Sequence, residues 1–176
     1  VWSGRRNRIR NNRIRNCGFH GVLLTGYRQS FGSEYDVNHS HRIENNWMHD
    51  CGRLVGHGAG VFAQGSGRNR IAHNVIHEMP RYGICVKEPH EPEYRQYRRA
   101  AGTTIAYNDL FLLNQDSEDS GFISFWGAGD GITVEYNRIH DCYRTLAGGT
   151  RGVYLDDYID RAVVRGNLIY RLMAGS

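Results

Sequence analysis

The 176-residue sequence predicts an all-β fold, a single-stranded right-handed parallel β-helix of about six coils, on three observations. First, an Ile or Val, an Asn three residues on and an Ile, Leu or Met two further recur in six blocks. These are Ile9-Asn12-Ile14, Ile43-Asn46-Met48, Ile71-Asn74-Ile76, Ile105-Asn108-Leu110, Val134-Asn137-Ile139 and Val164-Asn167-Ile169. The Asn-to-Asn spacings are 34, 28, 34, 29 and 30 residues, a period that marks a solenoid. Second, between these blocks a glycine opens a short apolar run: Gly21-Val22-Leu23-Leu24, Gly60-Val61-Phe62, Gly83-Ile84-Cys85-Val86, Gly121-Phe122-Ile123-Ser124 and Gly152-Val153-Tyr154-Leu155. Third, no segment has the period of an amphipathic helix; the runs are short, β-branched and bounded by Gly and Asn. Each repeat therefore holds two or three strands, and like strands of successive coils stack in parallel ~4.8 Å apart.

The Asn column is expected to have two structural roles. Asn tolerates the left-handed backbone of a sharp turn. Stacked at one coil position, its amides also bond from rung to rung, as in cross-β ladders. Three residues past the second apolar anchor come Cys17, Cys51, Met79, Leu113, Cys142 and Leu172, an apolar set that reads as a core column. Cys85, between Ile84 and Val86, is expected to point the other way, and a Cys17–Cys51 bridge is conceivable if their coils are neighbours. One position beyond the anchor lies Arg15, His49, His77, Phe111, His140 and Tyr170, read as an outward stack of planar side chains. Asp50, Glu78 and Asp141 follow its histidines; no zinc-type Cys/His spacing occurs, and no metal or cofactor is expected.

The chain is read as one domain over 1–176, part of a longer β-helix whose remaining coils lie elsewhere in the parent chain. The first Asn block begins within nine residues of the start, and the last coil lacks a glycine-led run. Neither end reads as a cap, so the isolated domain is expected to be marginally stable or self-associating. Charged residues at 23% and a mean hydropathy of −0.59 argue against a membrane partner, and no apolar run reaches the roughly 18 residues of a span. The net charge of +4 is mild. Arg5, Arg6, Arg8, Arg10, Arg13 and Arg15 cluster at the start, but they alternate with Asn and Ile like outward strand positions. That pattern favours a solvated or interface face over an anion-binding patch, and no nucleic-acid partner is expected.

Chemistry is sought where coils depart from the ladder. Three stretches do so: Glu118-Asp119 before a glycine-led strand, Asp156-Asp157 after the next coil's equivalent strand, and the charged insertion at residues 86–99. Aligning strand ends by their distance to the following anchor stacks Lys87, Trp126 and Asp156 on successive coils, all outward. Carboxylates on adjacent coils would stand roughly 5–10 Å apart, the range glycosidases use for an acid and its base or nucleophile. Such groups push one another's pKa values apart. An exposed aromatic beside them is what a sugar ring stacks on.

The stretches NRIAHNVIHEMPRYGI, SEDSGFISFWG, VEYNRIHD and GVYLDDYIDRAVVRGNLIYR, within residues 68–172, resemble the right-handed β-helix repeats of the pectate-lyase-like superfamily. Within it they are similar to the β-helix glycoside hydrolases of fucosidase and xylanase type. The resemblance implies carbohydrate cleavage in an extracellular or periplasmic setting, with a polysaccharide or oligosaccharide as partner. It maps that family's Glu-x-x-Asp-type loop onto Glu118-Asp119-Ser120-Gly121 and keeps Leu-Asp-Asp at Leu155-Asp156-Asp157. The catalytic candidates are thus Asp119, Asp156, Glu118 and Asp157, and the substrate-binding candidates Lys87, Trp126, Tyr154 and His90.

A polygalacturonase assignment fails: Gly56-His57-Gly58 and Asp156-Asp157 occur in reversed order and the other two motifs are missing. The Tyr-Gly-Phe-Asp-Pro-His-Glu motif of mannuronan epimerases and related lyases is matched imperfectly by YGICVKEPHE, which supplies Tyr82, Lys87, Glu88, His90 and Glu91. A uronate lyase or C5-epimerase is therefore the alternative enzyme. A non-catalytic stalk or glycan-binding β-helix is the alternative outside enzymes.

Overall fold

The computed structural model describes residues 1–26, 38–88, 100–117, 119–143 and 149–172. The predicted Glu118 and His90, with Glu91 and most of the charged insertion, lie outside the described residues.

Three parallel walls form the right-handed solenoid. The first wall stacks Arg8–Arg10, Arg42–Glu44, Arg70–Ala72, Thr104–Ala106, Thr133–Glu135 and Val163–Arg165. The second stacks Arg13–Arg15, Trp47–His49, Val75–His77, Asp109–Phe111, Arg138–Cys142 and Leu168–Leu172. The third stacks Val22–Thr25, Ala59–Gln64, Tyr82–Lys87, Ser120–Trp126 and Thr150–Asp156. Six rungs in two walls and five in the third make five complete coils among the described residues. The register joins the repeat anchors directly, with Ile43 opposite Ile71 and Ile76 opposite Leu110.

The Asn column forms a continuous ladder inside the turn between the first two walls. Each side-chain N–H donates to the next coil's Asn Oδ1: Asn12 to Asn46 at 2.9 Å, Asn46 to Asn74 at 3.0 Å, then Asn74 to Asn108, Asn108 to Asn137 and Asn137 to Asn167 at 2.9 Å. One expectation is corrected. The left-handed residue is not the ladder Asn but its predecessor: Asn11, Asn45, His73, Tyr107, Tyr136 and Gly166 all have φ between 54° and 64°. The predecessor takes the corner, and that turns the following Asn inward, where four of the six are at most 2% exposed.

The core columns follow the sequence closely. Cys51, Met79, Leu113 and Cys142 are buried against Ile43, Ile71, Ile105 and Val134, with Cys17 and Leu172 partly buried at the ends. All four cysteines are free thiols, Cys17 and Cys51 included. Cys85 belongs to a separate cluster with Ala59, Phe62 and Tyr82, and it is still fully buried there.

A second correction concerns the glycine column. Register pairs Val22 with Val61, Ile84 with Val61 and Ile84 with Ile123, so Gly21, Gly60 and Gly83 align with Phe122, not with Gly121. Gly121 instead faces Arg151. The fourth coil puts a fully buried Phe122 where its neighbours have glycine, filling the core with a ring.

The outward column stacks as expected, with centroid separations of 5.0 Å for His49–His77, 4.7 Å for His77–Phe111, 5.3 Å for Phe111–His140 and 5.0 Å for His140–Tyr170. The first arginines point outward: Arg8–Arg10 and Arg13–Arg15 each alternate exposed, half-buried, exposed. Glu44 meets Arg42 at 2.8 Å, Arg70 at 3.4 Å and Arg10 at 3.8 Å, which neutralises part of that face.

Candidate functional site

The third wall carries the site because its outer face alternates along each strand. Lys87, Trp126 and Asp156 are successive register partners, as their distance to the next anchor predicts, and Gln64 and Thr25 continue the row. Two residues earlier, Cys85, Ser124 and Tyr154 form the parallel row. A cleft of about 180 Å³ opens over these rows. Its walls bring together Asp119, Asp156, Lys87 and Trp126 with His57, Arg81, Tyr82 and Ser124.

Asp119 sits at φ 50°, immediately before the strand Ser120–Trp126, and this corner conformation turns its exposed carboxylate toward the next coil. There the Tyr154 hydroxyl donates to Asp119 Oδ1 at 3.0 Å, and an Arg151 guanidinium nitrogen lies 3.9 Å from the same oxygen. Arg81 holds the loop by donating to the Asp119 backbone carbonyl at 3.1 Å. Asp157 points elsewhere: it accepts the Trp126 indole N–H at 3.2 Å and steadies that ring, and it is not among the residues lining the cleft.

The electrostatics separate the groups. Burial pushes the Asp156 carboxyl above the usual range, and the neighbouring Asp157 and Asp119 push it further. The nearby Tyr154 hydroxyl and the charge of Lys87 oppose the rise without cancelling it. Tyr154 is itself raised, first by burial, then by its bond to Asp119 and the charge of Asp156, so it remains a proton donor. Burial lifts the Tyr82 phenol to about 12. His57 is lowered by burial and then by the charges of Arg81 and Lys87, which keeps its ring neutral near pH 7. A carboxyl raised by burial, a second carboxyl that accepts a tyrosine hydrogen bond, an imidazole and two basic side chains thus share one cleft.

Sequence reasoning missed Arg81 and Ser124, met His57 only in a rejected motif and met Tyr82 only in the alternative one. Ser124 was open to the alternation that placed Trp126. Arg81 and His57 precede their strands on loops of unequal length, where counting from an anchor fails. For metal binding, His49, Asp50 and Glu78 bring ligand atoms within 4.8 Å of one another. Each is already engaged: His49 Nδ1 with Asp50 at 2.8 Å, Asp50 also with Arg53, and Glu78 with His77 at 2.9 Å. That group is part of the outward ladder.

A three-walled parallel solenoid with a polar cleft on one wall defines the class as a right-handed β-helix protein. The chain belongs to the right handed beta helix region family, whose model matches residues 1–90 and 37–175. No curated protein and no solved structure matches the chain. The fold is consistent with the pectate-lyase-like superfamily and is one that is often carbohydrate-active. No helix among the described residues is long and apolar enough to cross a membrane.

Proposed function

We propose that the cleft cleaves glycosidic bonds by paired carboxylates, with Asp156 as general acid and Asp119 as base or nucleophile. One observation carries this reading: two carboxyl groups line the same cleft beside one tyrosine hydroxyl, and Asp156 is pushed toward its protonated form by burial and neighbouring acids. Glycosidases need that asymmetry, one carboxyl to protonate the leaving oxygen and one to remain an anion. Tyr154 gives its single proton to Asp119, so it orients that carboxylate while leaving Asp156 able to donate. Trp126, braced by Asp157, offers its ring to a sugar face, and Lys87 on the adjacent rung bonds ring hydroxyls.

The test is hydrolysis of a polysaccharide panel by the wild-type chain and by Asp119→Asn and Asp156→Asn. Each substitution is expected to lower kcat at least about a hundredfold, within the usual range for general acid–base groups. Unchanged rates in both variants would remove the assignment. Products carrying a 4,5-unsaturated uronate would assign elimination instead. Binding without turnover in the wild type would leave a glycan-binding module.

A further inference from the structure

We propose that Cys17 and Cys51 are a disulfide-forming pair, and that closing the bridge pins the loop carrying His57 to the first coil. The pair lies in the corner between the second and third walls, and the proposal does not depend on what the cleft binds.

The two residues occupy one column on adjacent coils. Arg15 is the register partner of His49, and the pairing runs on past the strand ends. There the Asn16 N–H donates to the His49 carbonyl at 3.3 Å and the Gly52 N–H to the Cys17 carbonyl at 2.8 Å. Cys17 therefore sits beside Cys51 at the rung spacing of ~4.8 Å, within the Cα separation that a disulfide spans. Both side chains take the same direction: each thiol donates to the carbonyl two residues before it, Cys17 to Arg15 at 3.8 Å and Cys51 to His49 at 3.4 Å. The sulfurs thus stack one above the other, and the Cys17 thiol and backbone N–H both bond toward Cys51. The other two thiols have no cysteine beside them: Cys142 pairs with Leu172, and Cys85 lies between Phe62 and Ser124.

The pair divides the chemistry. Cys17 is partly exposed and Cys51 fully buried, and burial pushes the Cys51 thiol up to about 12. Cys17 is thus the sulfur that an oxidant reaches. With glutathione disulfide, the Cys17 thiolate attacks one sulfur, forms a mixed disulfide and releases one glutathione thiolate. Cys51 then gives its proton to solvent, bonds to the Cys17 sulfur and displaces the second glutathione. Two protein thiols are oxidised, and one disulfide is reduced to two glutathione thiols.

The bridge reaches the cleft through the backbone. The loop at residues 52–58 is held to the first coil by the Gly52 bond to Cys17. The Leu54 and Val55 N–H groups add bonds to the Gly18 carbonyl at 3.0 and 3.2 Å. Leu54 is 84% exposed, so its packing contributes little to this attachment. His57, near the end of the same loop, lines the cleft. A covalent link one residue before Gly18 and Gly52 fixes those bonds at their base.

The experiment compares the whole chain after dithiothreitol and after glutathione disulfide. Oxidation is expected to lower the titratable thiols from four to two. Tryptic mapping should join the peptide at residues 16–28 to that at 43–53, each of which holds a single cysteine. Closing a loop across this 34-residue spacing should raise Tm by about 5–10 °C. Hydrogen exchange at the Gly52, Leu54 and Val55 amides should slow about tenfold or more. Dithiothreitol should reverse every change. Cys17→Ser should melt with the reduced wild type and respond to oxidant in neither Tm nor exchange. Four thiols surviving oxidation, a persistent glutathione adduct on Cys17, or a bridge to Cys85 or Cys142 would overturn the pairing. A Cys17–Cys51 bridge that leaves Tm or the loop's exchange unchanged would overturn the pinning.

Discussion

Tyr154 donates its phenolic proton to Asp119 at 3.0 Å while standing two residues before Asp156 on its own strand. One hydroxyl thereby ties the loop that enters the fourth rung of the third wall to the end of the fifth. Removing it in Tyr154→Phe keeps the ring that Arg151 covers at 4.2 Å, so the fold should persist. The expected result is a fall in kcat of about tenfold to a hundredfold with a smaller change in KM, since an orienting bond to Asp119 is lost but the cleft is not. Steady-state kinetics on the substrate found in the panel would check it.

The amide ladder should be strongest at its centre. Asn108 donates to Asn137 Oδ1 at 2.9 Å and to the Ile71 carbonyl at 3.0 Å, and it accepts both the backbone and side-chain N–H of Asn74. Asn108→Ala leaves several buried groups unpaired and is expected to cost about 2–4 kcal/mol. Asn12→Ala, at the exposed first rung, should cost less than about 1 kcal/mol. Denaturant titration of the two variants gives the comparison, and equal losses would argue against a cooperative ladder.

Stability should fall on mild acidification, before the carboxylates titrate. His41 is 1% exposed; its Nδ1 accepts the Asn7 N–H at 3.2 Å and its Nε2 bonds Asn38 Oδ1 at 2.9 Å. This network assigns the neutral tautomer with the proton on Nε2. Burial holds His41 at about 4, with the N-terminal ammonium and His39 adding to the depression and the Gly4 backbone opposing it. Burial holds His20 at about 4 as well. A histidine lowered on folding contributes its full stability above the unfolded value near 6.5 and loses it as pH falls toward the folded value. The Tm is therefore expected to drop between pH 6.5 and 4, and His41→Gln should flatten that slope while lowering Tm at pH 7.5.

Glycines on the third wall and on the loops that enter it should divide by what a methyl would meet. At Gly83 a Cβ would come within 2.5 Å of Leu113 Cδ1 and 2.9 Å of both Leu110 Cδ2 and the Phe122 carbonyl oxygen. Gly83→Ala is expected to destabilise by about 1–3 kcal/mol through overpacking. Gly56→Ala meets nothing within 4 Å and should be neutral. Thermal melts of the two variants suffice.

Much of this architecture was legible without coordinates. The Ile-Asn-Ile blocks, the Cys17-to-Leu172 core column and the His-rich outward column all lie within a few residues of an anchor, where covalent spacing carries position across coils. The row Lys87, Trp126 and Asp156 was found in the same way, by counting forward to the next anchor. Counting failed at Gly121, because the fourth coil shifts its glycine by one residue and lets Phe122 fill the core. It also failed at Arg81 and His57, whose loops have lengths no anchor constrains.

Taken alone, the chain's order of residues determined the period, the inward and outward columns and the wall on which acids gather. A repeat transmits these because one misplaced rung would strand buried amides and expose core side chains. Tertiary structure decided the rest: that the corner residue before each ladder Asn takes the left-handed conformation, that the Tyr154 hydroxyl donates to Asp119, that burial and neighbouring acids raise the Asp156 carboxyl, and that Arg81 bonds the Asp119 backbone carbonyl. Those outcomes depend on burial and on distances between loops, and neither quantity is written in a linear spacing.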